Sequence, residues 1–129
     1  MSRARAAQRP ELGDLVATAK ARFTGIPARK ARYVADLIRG LTVAQAERQL
    51  GHIHRPSAVP IVSKVLKSAV ANAQDKEEAG EPAELLVGEI MVDGGPTARR
   101  FQARAMGRAC TIRKRTSHVT IKLYTQLSD

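Results

Sequence analysis

Residues 109–124 read ACTIRKRTSHVTIKLY, and the fold turns on where the apolar residues of this stretch fall. Val119, Ile121 and Leu123 occupy odd positions, so they share one face of a strand, because strand side chains alternate between faces. Cys110 and Ile112 occupy even positions. The apolar face therefore switches within 113–117. Either a bulge lies there, or the chain leaves one environment and enters another. The segment 119–123 is read as a strand of a sheet packed on helices. Residues 97–112 are read as a hairpin extension beyond the globule.

Upstream, 85–92 is rich in Leu, Val and Ile and reads as the partner strand. Asp93-Gly94-Gly95-Pro96 follows as a strong turn signal. Together these segments predict an extended hairpin spanning about 88–117, with a loop of about ten residues, longer than ordinary hairpin loops. From 94 to 128 there are eight basic residues and no acidic one. A two-stranded extension is marginal in water, and its own charges repel one another. Such a hairpin makes physical sense when a polyanion holds it.

The helices lie earlier in the chain. Residues 15–26 read as a strand or an irregular lead-in. Pro27 suits a helix start, and Val34, Leu37, Ile38 and Leu41 follow at helical spacing until Gly40 ends the element. Thr42 is a good N-cap for a short second helix carrying Val43, Ala46 and Leu50, with Gly51 as its stop. Ser57 is expected to cap the longest helix, with Pro60 in its first turn. There Ile61, Val62, Val65, Leu66, Ala69, Val70 and Ala73 repeat at helical spacing, and Ala69, Ala71 and Ala73 allow close approach of a neighbour. The fold class is α+β: three helices packed on a small antiparallel β-sheet with a long protruding hairpin. Residues 1–14 read as a flexible basic N-terminal arm, and 15–129 as a single domain.

Composition bounds the function. The chain has 129 residues and a formal net charge of +10. A small protein this basic usually meets a polyanion. Cys110 is the lone cysteine, which allows no internal disulfide and reads as a small buried or half-buried apolar side chain. No apolar run is long enough to span a membrane, and residues 1–10 have no apolar core after them, so they are not read as a secretory signal.

Catalytic patterns are thin. His52 and His54 lack further metal ligands nearby and read as a surface loop. Ser117 and His118 are strand neighbours pointing to opposite faces, which disfavours a nucleophile–base pair. Gly94-Gly95 precedes proline rather than a phosphate-binding helix. No enzyme, cofactor or metal is expected.

Binding patterns are rich. Arg29, Lys30, Arg32 and Arg39 line the polar face of the first helix, opposed by Asp36 alone. Arg99, Arg100, Phe101, Arg104 and Arg108 cluster toward the hairpin tip. Arginine suits phosphate and base stacking, and Phe101 either stacks on a base or anchors the loop. Arg113-Lys114-Arg115-Thr116-Ser117-His118 adds charge and hydroxyls for phosphate or 2′-OH contacts.

The ordered segment Asp93-Gly94-Gly95-Pro96-Thr97, Arg100-Phe101, Arg104-Ala105-Met106-Gly107-Arg108-Ala109, Ile112 and Lys114-Arg115-Thr116-Ser117-His118-Val119-Thr120 resembles large-subunit ribosomal protein L-twenty-two in its bacterial form. Pro27-Ala28-Arg29-Lys30-Ala31-Arg32 with Asp36-Leu37-Ile38-Arg39-Gly40 looks like that family's first helix, and 65–73 like its long helix. The resemblance covers about 21–124. Gln102 and Ala103 depart from the basic or proline residues often found there. The resemblance implies a structural constituent of the large subunit that binds 23S ribosomal RNA and supports assembly. It implies contacts with neighbouring ribosomal proteins, a cytoplasmic location in the ribosome, and a hairpin tip lining the polypeptide exit tunnel beside the nascent chain. Carried over by position, the rRNA-binding set is Arg22, Arg29, Lys30, Arg32, Arg99, Arg100, Phe101, Arg104, Arg108, Arg113, Lys114, Arg115, Thr116, Ser117 and His118. The tunnel-proximal tip is expected at Gly94, Gly95, Pro96, Thr97, Ala98, Arg99 and Arg100. Macrolides bind nearby in that family, so changes in 95–104 are candidates for altered drug sensitivity. The rival reading is a free DNA-binding or chromatin-associated protein. Residues 43–50 offer only Arg48 to a DNA groove, which argues against a helix-turn-helix reader.

Overall fold

The computed structural model describes residues 11–76 and 80–127. Strand β1 (Leu12–Thr24) leads into helices α1 (Ala28–Ile38), α2 (Val43–His52) and α3 (Val59–Gln74). Strands β2 (Leu86–Gly94), β3 (Ala98–Ala103), β4 (Ala109–Lys114) and β5 (Ser117–Gln126) follow. β1, β5 and β2 form a three-stranded antiparallel sheet with β5 in the centre, while β3 and β4 form a separate two-stranded ribbon. The fold is α+β, with the three helices against one small antiparallel sheet.

The core follows the apolar patterning. Val119, Ile121 and Leu123 of β5 are fully buried, as the odd-position pattern requires. They meet Ala31, Val34, Ala35 and Ile38 of α1 and Val62, Leu66, Ala69 and Ala73 of α3 in one cluster. Each fully buried Val, Leu or Ile side chain of this cluster contributes about 1.5–3 kcal/mol. Ala69 and Ala73 are the small residues buried in the core; Ala71 is exposed, because it lies on the outer face of α3.

Two helix boundaries and one strand boundary differ from expectation. Thr42 caps α2 as its sequence predicts, and Gln45 completes a reciprocal capping box with it. α2 runs past Gly51 to His52. Ser57 is not the cap of α3: Ala58 holds that position without a side-chain bond, and Pro60 covers an early helical position where a donor is superfluous. β1 begins at Leu12, so Leu12, Gly13 and Asp14 are strand rather than arm. Residues 1–10 of the expected arm lie outside the described residues.

The larger correction concerns the hairpin. Asp93-Gly94-Gly95-Pro96 is not its turn. Gly94 pairs with Ser117, and Gly95 donates its N–H to the Thr116 carbonyl, so this segment is the root where the hairpin leaves the sheet. Pro96 lacks an N–H and ends that ladder. A second ladder then runs from Ala98↔Lys114 to Ala103↔Ala109. Between the two ladders the outgoing strand carries one residue more than the returning strand. The bulge anticipated within 113–117 therefore sits opposite it, in 95–97. The protruding portion is 95–116 rather than 88–117, and its tip is 104–108.

Candidate nucleic-acid interface

The β3–β4 ribbon carries no core of its own. Every residue of β3 is exposed, and in β4 only Ile112 is half-buried. Arg100, Ile112, Gln102 and Cys110 lie on one face; Arg99, Arg113, Phe101 and Thr111 lie on the other. Cys110 is exposed, contrary to its apolar reading, because the ribbon offers nothing to bury it. Arg99 is directly opposite Arg113, and like charges in that relation are destabilising. Phe101 is 79% exposed and covers no loop, so the anchor reading has no support.

At the tip, Arg104 donates its N–H to the Arg108 carbonyl at 2.7 Å and closes the turn. Met106 and Gly107 both adopt positive φ, 63° and 70°, the left-handed region that favours glycine. Met106 is 96% exposed. Arg104, Arg108, Arg113, Lys114 and Arg115 are all exposed. The tip was missed because the Asp-Gly-Gly-Pro signal upstream is the stronger turn pattern; Gly107 was the available clue.

The root uses several residues assigned to RNA. Ser117 is fully buried: the Thr24 hydroxyl donates to its carbonyl at 2.9 Å, which leaves Ser117 to donate to the Thr24 oxygen at 2.8 Å. Ser117 therefore leaves the RNA-facing set. The Thr116 hydroxyl donates to the Pro96 carbonyl at 2.7 Å. The half-buried His118 accepts the Phe23 N–H through Nδ1 at 3.0 Å, and the two rings meet edge to face at 4.9 Å. This bond holds Phe23 at a φ of 55°. It also requires Nδ1 to be unprotonated. Arg22 is exposed beside this pair.

On α1, Arg29 and Lys30 are exposed at the first turn. Arg32 instead forks onto the Val92 carbonyl, and Arg39 binds the Ile90 carbonyl and pairs with Asp36. These two arginines join α1 to the outer edge of β2.

Registers gather five of the positive groups at one end. Arg32 meets Val92, Arg39 meets Ile90 and Gly40 meets Val87, so α1 begins at the hairpin end of β2. On the other side, Lys64 of α3 lies near Thr24, whereas Asn72 and Lys76 bind the Thr18 and Val16 carbonyls. α3 therefore also begins at the hairpin end. Arg22, Arg29, Lys30, Arg55 and Lys64 gather around the root, while Glu11, Asp14, Asp75 and Lys76 lie toward the opposite end of the globule. Asp93 is an acidic residue at the root.

At the mouth of α1, Arg29, Lys30, Tyr33, His54 and Arg55 line a cleft of about 510 Å³. The Arg55 guanidinium stands 4.6 Å from the Tyr33 ring centroid. Tyr33 and Arg55 were not singled out from sequence. Tyr33 occupies the exposed face of α1, and Arg55 precedes α3, so only the tertiary fold brings them together.

Elsewhere on the sheet, Lys122 and Glu89 pair at 3.1 Å. The Lys122 hydrogen bond, with that of Tyr124, holds the Glu89 carboxyl below its ordinary range, and Glu89 raises the Lys122 ammonium. Burial, then the Glu89 contact, pushes the Tyr124 phenol up.

Among the described residues, no three His, Cys, Asp or Glu side chains form a metal-binding group. No described helix is long and apolar enough to cross a membrane.

A charge-polarised α+β globule with an exposed arginine-rich ribbon defines a class: basic proteins shaped to lie against a polyanion. Within that class, residues 19–124 match the family described as Ribosomal protein L22p/L17e, and the chain belongs to it. It is a large-subunit ribosomal protein and a structural, non-enzymatic component of the ribosome.

Proposed function

We propose that the protein, in its bacterial form, binds 23S ribosomal RNA, supports assembly of the large subunit, and inserts its hairpin to line the polypeptide exit tunnel. The observation that carries this reading is the Arg99–Arg113 cross-strand pair on a ribbon without a core. That arrangement is unfavourable alone and becomes favourable when phosphates lie between and around the guanidinium groups. Arg22, Arg29 and Lys30 grip RNA at the root, and Arg99, Arg100, Arg104, Arg108, Arg113, Lys114 and Arg115 neutralise phosphates along the hairpin. Phe101 stacks on a base. Thr116 and His118 orient the root, and Arg32 acts mainly within the protein.

The tunnel-proximal assignment moves with the corrected geometry. Residues 104–108 face the nascent chain, and Gly94, Gly95, Pro96 and Thr97 stay near the globule. Changes in 104–108 are then the ones expected to alter macrolide sensitivity. Other ribosomal proteins contact the globule.

Equilibrium binding of the full chain to protein-free 23S ribosomal RNA tests the reading. If about six phosphates are neutralised, log K falls against log salt with a slope of roughly −4 to −5. A slope near zero would overturn it. In co-sedimentation, the protein is expected to remain with large subunits through a moderate salt wash; finding it free, or on DNA, favours the rival.

A further inference from the structure

The cleft at the start of α1 differs chemically from the hairpin. It combines Arg29, Lys30, His54 and Arg55 with an aromatic ring, and no carboxylate is among its lining residues. Tyr33 is 52% exposed although it carries a large ring. Arg55 lies over that ring within cation–π distance. Bare phosphate recognition needs only the cations. A half-exposed tyrosine layered with a guanidinium offers in addition a flat surface of the kind on which unpaired bases stack. At about 510 Å³, the cleft has the volume of a small-ligand site.

We infer that this cleft is a nucleotide subsite: one unpaired RNA base stacks on the Tyr33–Arg55 pair while Arg29 and Lys30 hold its flanking phosphates. The inference rests on the RNA-binding reading and adds a second kind of contact to it. The hairpin neutralises a phosphate track, whereas this site captures a single extruded nucleotide. Its position fits, because α1 and α3 both begin at the end of the globule from which the hairpin emerges. RNA following the hairpin to its root would arrive beside Arg29 and Lys30. A bulged or loop nucleotide is therefore the expected ligand, since a base inside a duplex presents no free face.

Binding of the full chain to protein-free 23S ribosomal RNA, compared among variants, tests this. Tyr33→Leu removes the stacking surface and no charge. It is expected to weaken binding roughly tenfold with an unchanged salt slope, while Tyr33→Phe stays within about twofold. Arg55→Ala weakens binding and reduces the slope by about one. Photocrosslinking of the wild-type complex supplies a second readout that needs no variant, with an RNA adduct expected at Tyr33. If Tyr33→Leu binds like wild type while neutralising Arg99, Arg100, Arg104 and Arg108 weakens binding, the subsite is overturned and the RNA-binding reading stands. Weakening by Arg55→Ala alone marks a plain anion site and also overturns the inference. No adduct on 29–33 or 54–58 overturns it as well. Failure of the wild-type chain to bind the RNA at all removes both readings.

Discussion

Arg32 donates both Nε and a terminal nitrogen to the Val92 carbonyl, at 3.0 and 2.9 Å, and so closes part of the outer edge of β2 with a helix side chain. Arg39 donates one terminal nitrogen to the Ile90 carbonyl, and the Gly40 N–H binds the Val87 carbonyl. On the opposite edge, Asn72 of α3 and Lys76, just past the end of that helix, bind the Thr18 and Val16 carbonyls of β1. A three-stranded sheet has two open edges, each a template for unwanted pairing. Here the helices that cover the sheet also occupy carbonyls along both edges.

Replacing Arg32 tests this role. The bond is charge-assisted and partly buried, so Arg32→Met is expected to lose about 1–2 kcal/mol of stability. Arg32→Lys should recover only part, because an ammonium lacks the planar fork. Urea unfolding monitored by far-ultraviolet circular dichroism reads both. An unchanged midpoint would assign Arg32 to the RNA instead.

Arg32 also marks what sequence could and could not reveal. Periodicity located α1, α3 and the core strand β5, because burial leaves a local imprint at spacings of two or about three and a half residues. The basic face of α1 was equally legible, but the division of its arginines was not. Arg29 and Arg32 are alike in a linear pattern; only the packing of α1 along β2 sends one to solvent and the other to a carbonyl. The same limit hid the tip. Asp93-Gly94-Gly95-Pro96 has every local sign of a turn, yet the ladder continues through Gly95, and Ser117 is buried by a partner, Thr24, that lies far away in sequence. Tyr33 and Arg55 meet by the same long-range route.

The Thr42–Gln45 capping box gives a second expectation. Thr42 accepts from the Gln45 N–H, and the Gln45 side chain accepts from the Thr42 N–H. Thr42→Ala should cost about 1 kcal/mol, and Gln45→Ala less, since it leaves the hydroxyl cap intact. Thr42→Ser should stay near wild type. Equal losses for all three would point to packing rather than capping.

Gly95 fixes how the hairpin leaves the sheet. A Cβ there would stand 2.4 Å from the Thr116 hydroxyl oxygen, which is already bonded to the Pro96 carbonyl. Gly95→Ala must displace Thr116 and break that bond, whereas Gly94→Ala meets nothing within 4 Å. Weaker RNA binding is expected for Gly95→Ala, with a core stability loss under about 1 kcal/mol because the root is peripheral. Gly94→Ala serves as the control, and equal affinities for the two variants would sink the account.

The Glu89–Lys122–Tyr124 cluster has a defined pH signature. Glu89 titrates low in the folded chain, so its contribution is present above the ordinary carboxylate range and is lost as pH falls through the lowered value. Lys122 titrates high, so its contribution is present below the ordinary lysine range and is lost as pH rises through the raised value. Between the two, stability from the pair is flat. Carboxyl chemical shifts should show Glu89 titrating below an ordinary glutamate. Lys122→Met should move Glu89 back upward; an unmoved titration would mean that the 3.1 Å contact is not kept in solution.

The last expectation concerns the hairpin away from RNA. β5 lies in the core with Val119, Ile121 and Leu123 fully buried, so its amide protons should exchange only on global opening. β3 and β4 have cross-strand hydrogen bonds but no buried face, and Arg99 repels Arg113 across the ladder. Two-stranded ribbons without a covered face are marginal in water. Amides of 97–107 in the free chain are therefore expected to exchange near the unprotected rate while 119–123 stay protected. On adding 23S ribosomal RNA, protection should extend along the ribbon to the tip. The exposed Cys110, the lone cysteine of the chain, allows a spin label to read the same ordering. Its spectrum should be mobile in the free protein and broadened in the complex. Strong protection of 97–107 before RNA is added would mean that the ribbon is stable by itself, and the Arg99–Arg113 repulsion would then no longer argue for a polyanion.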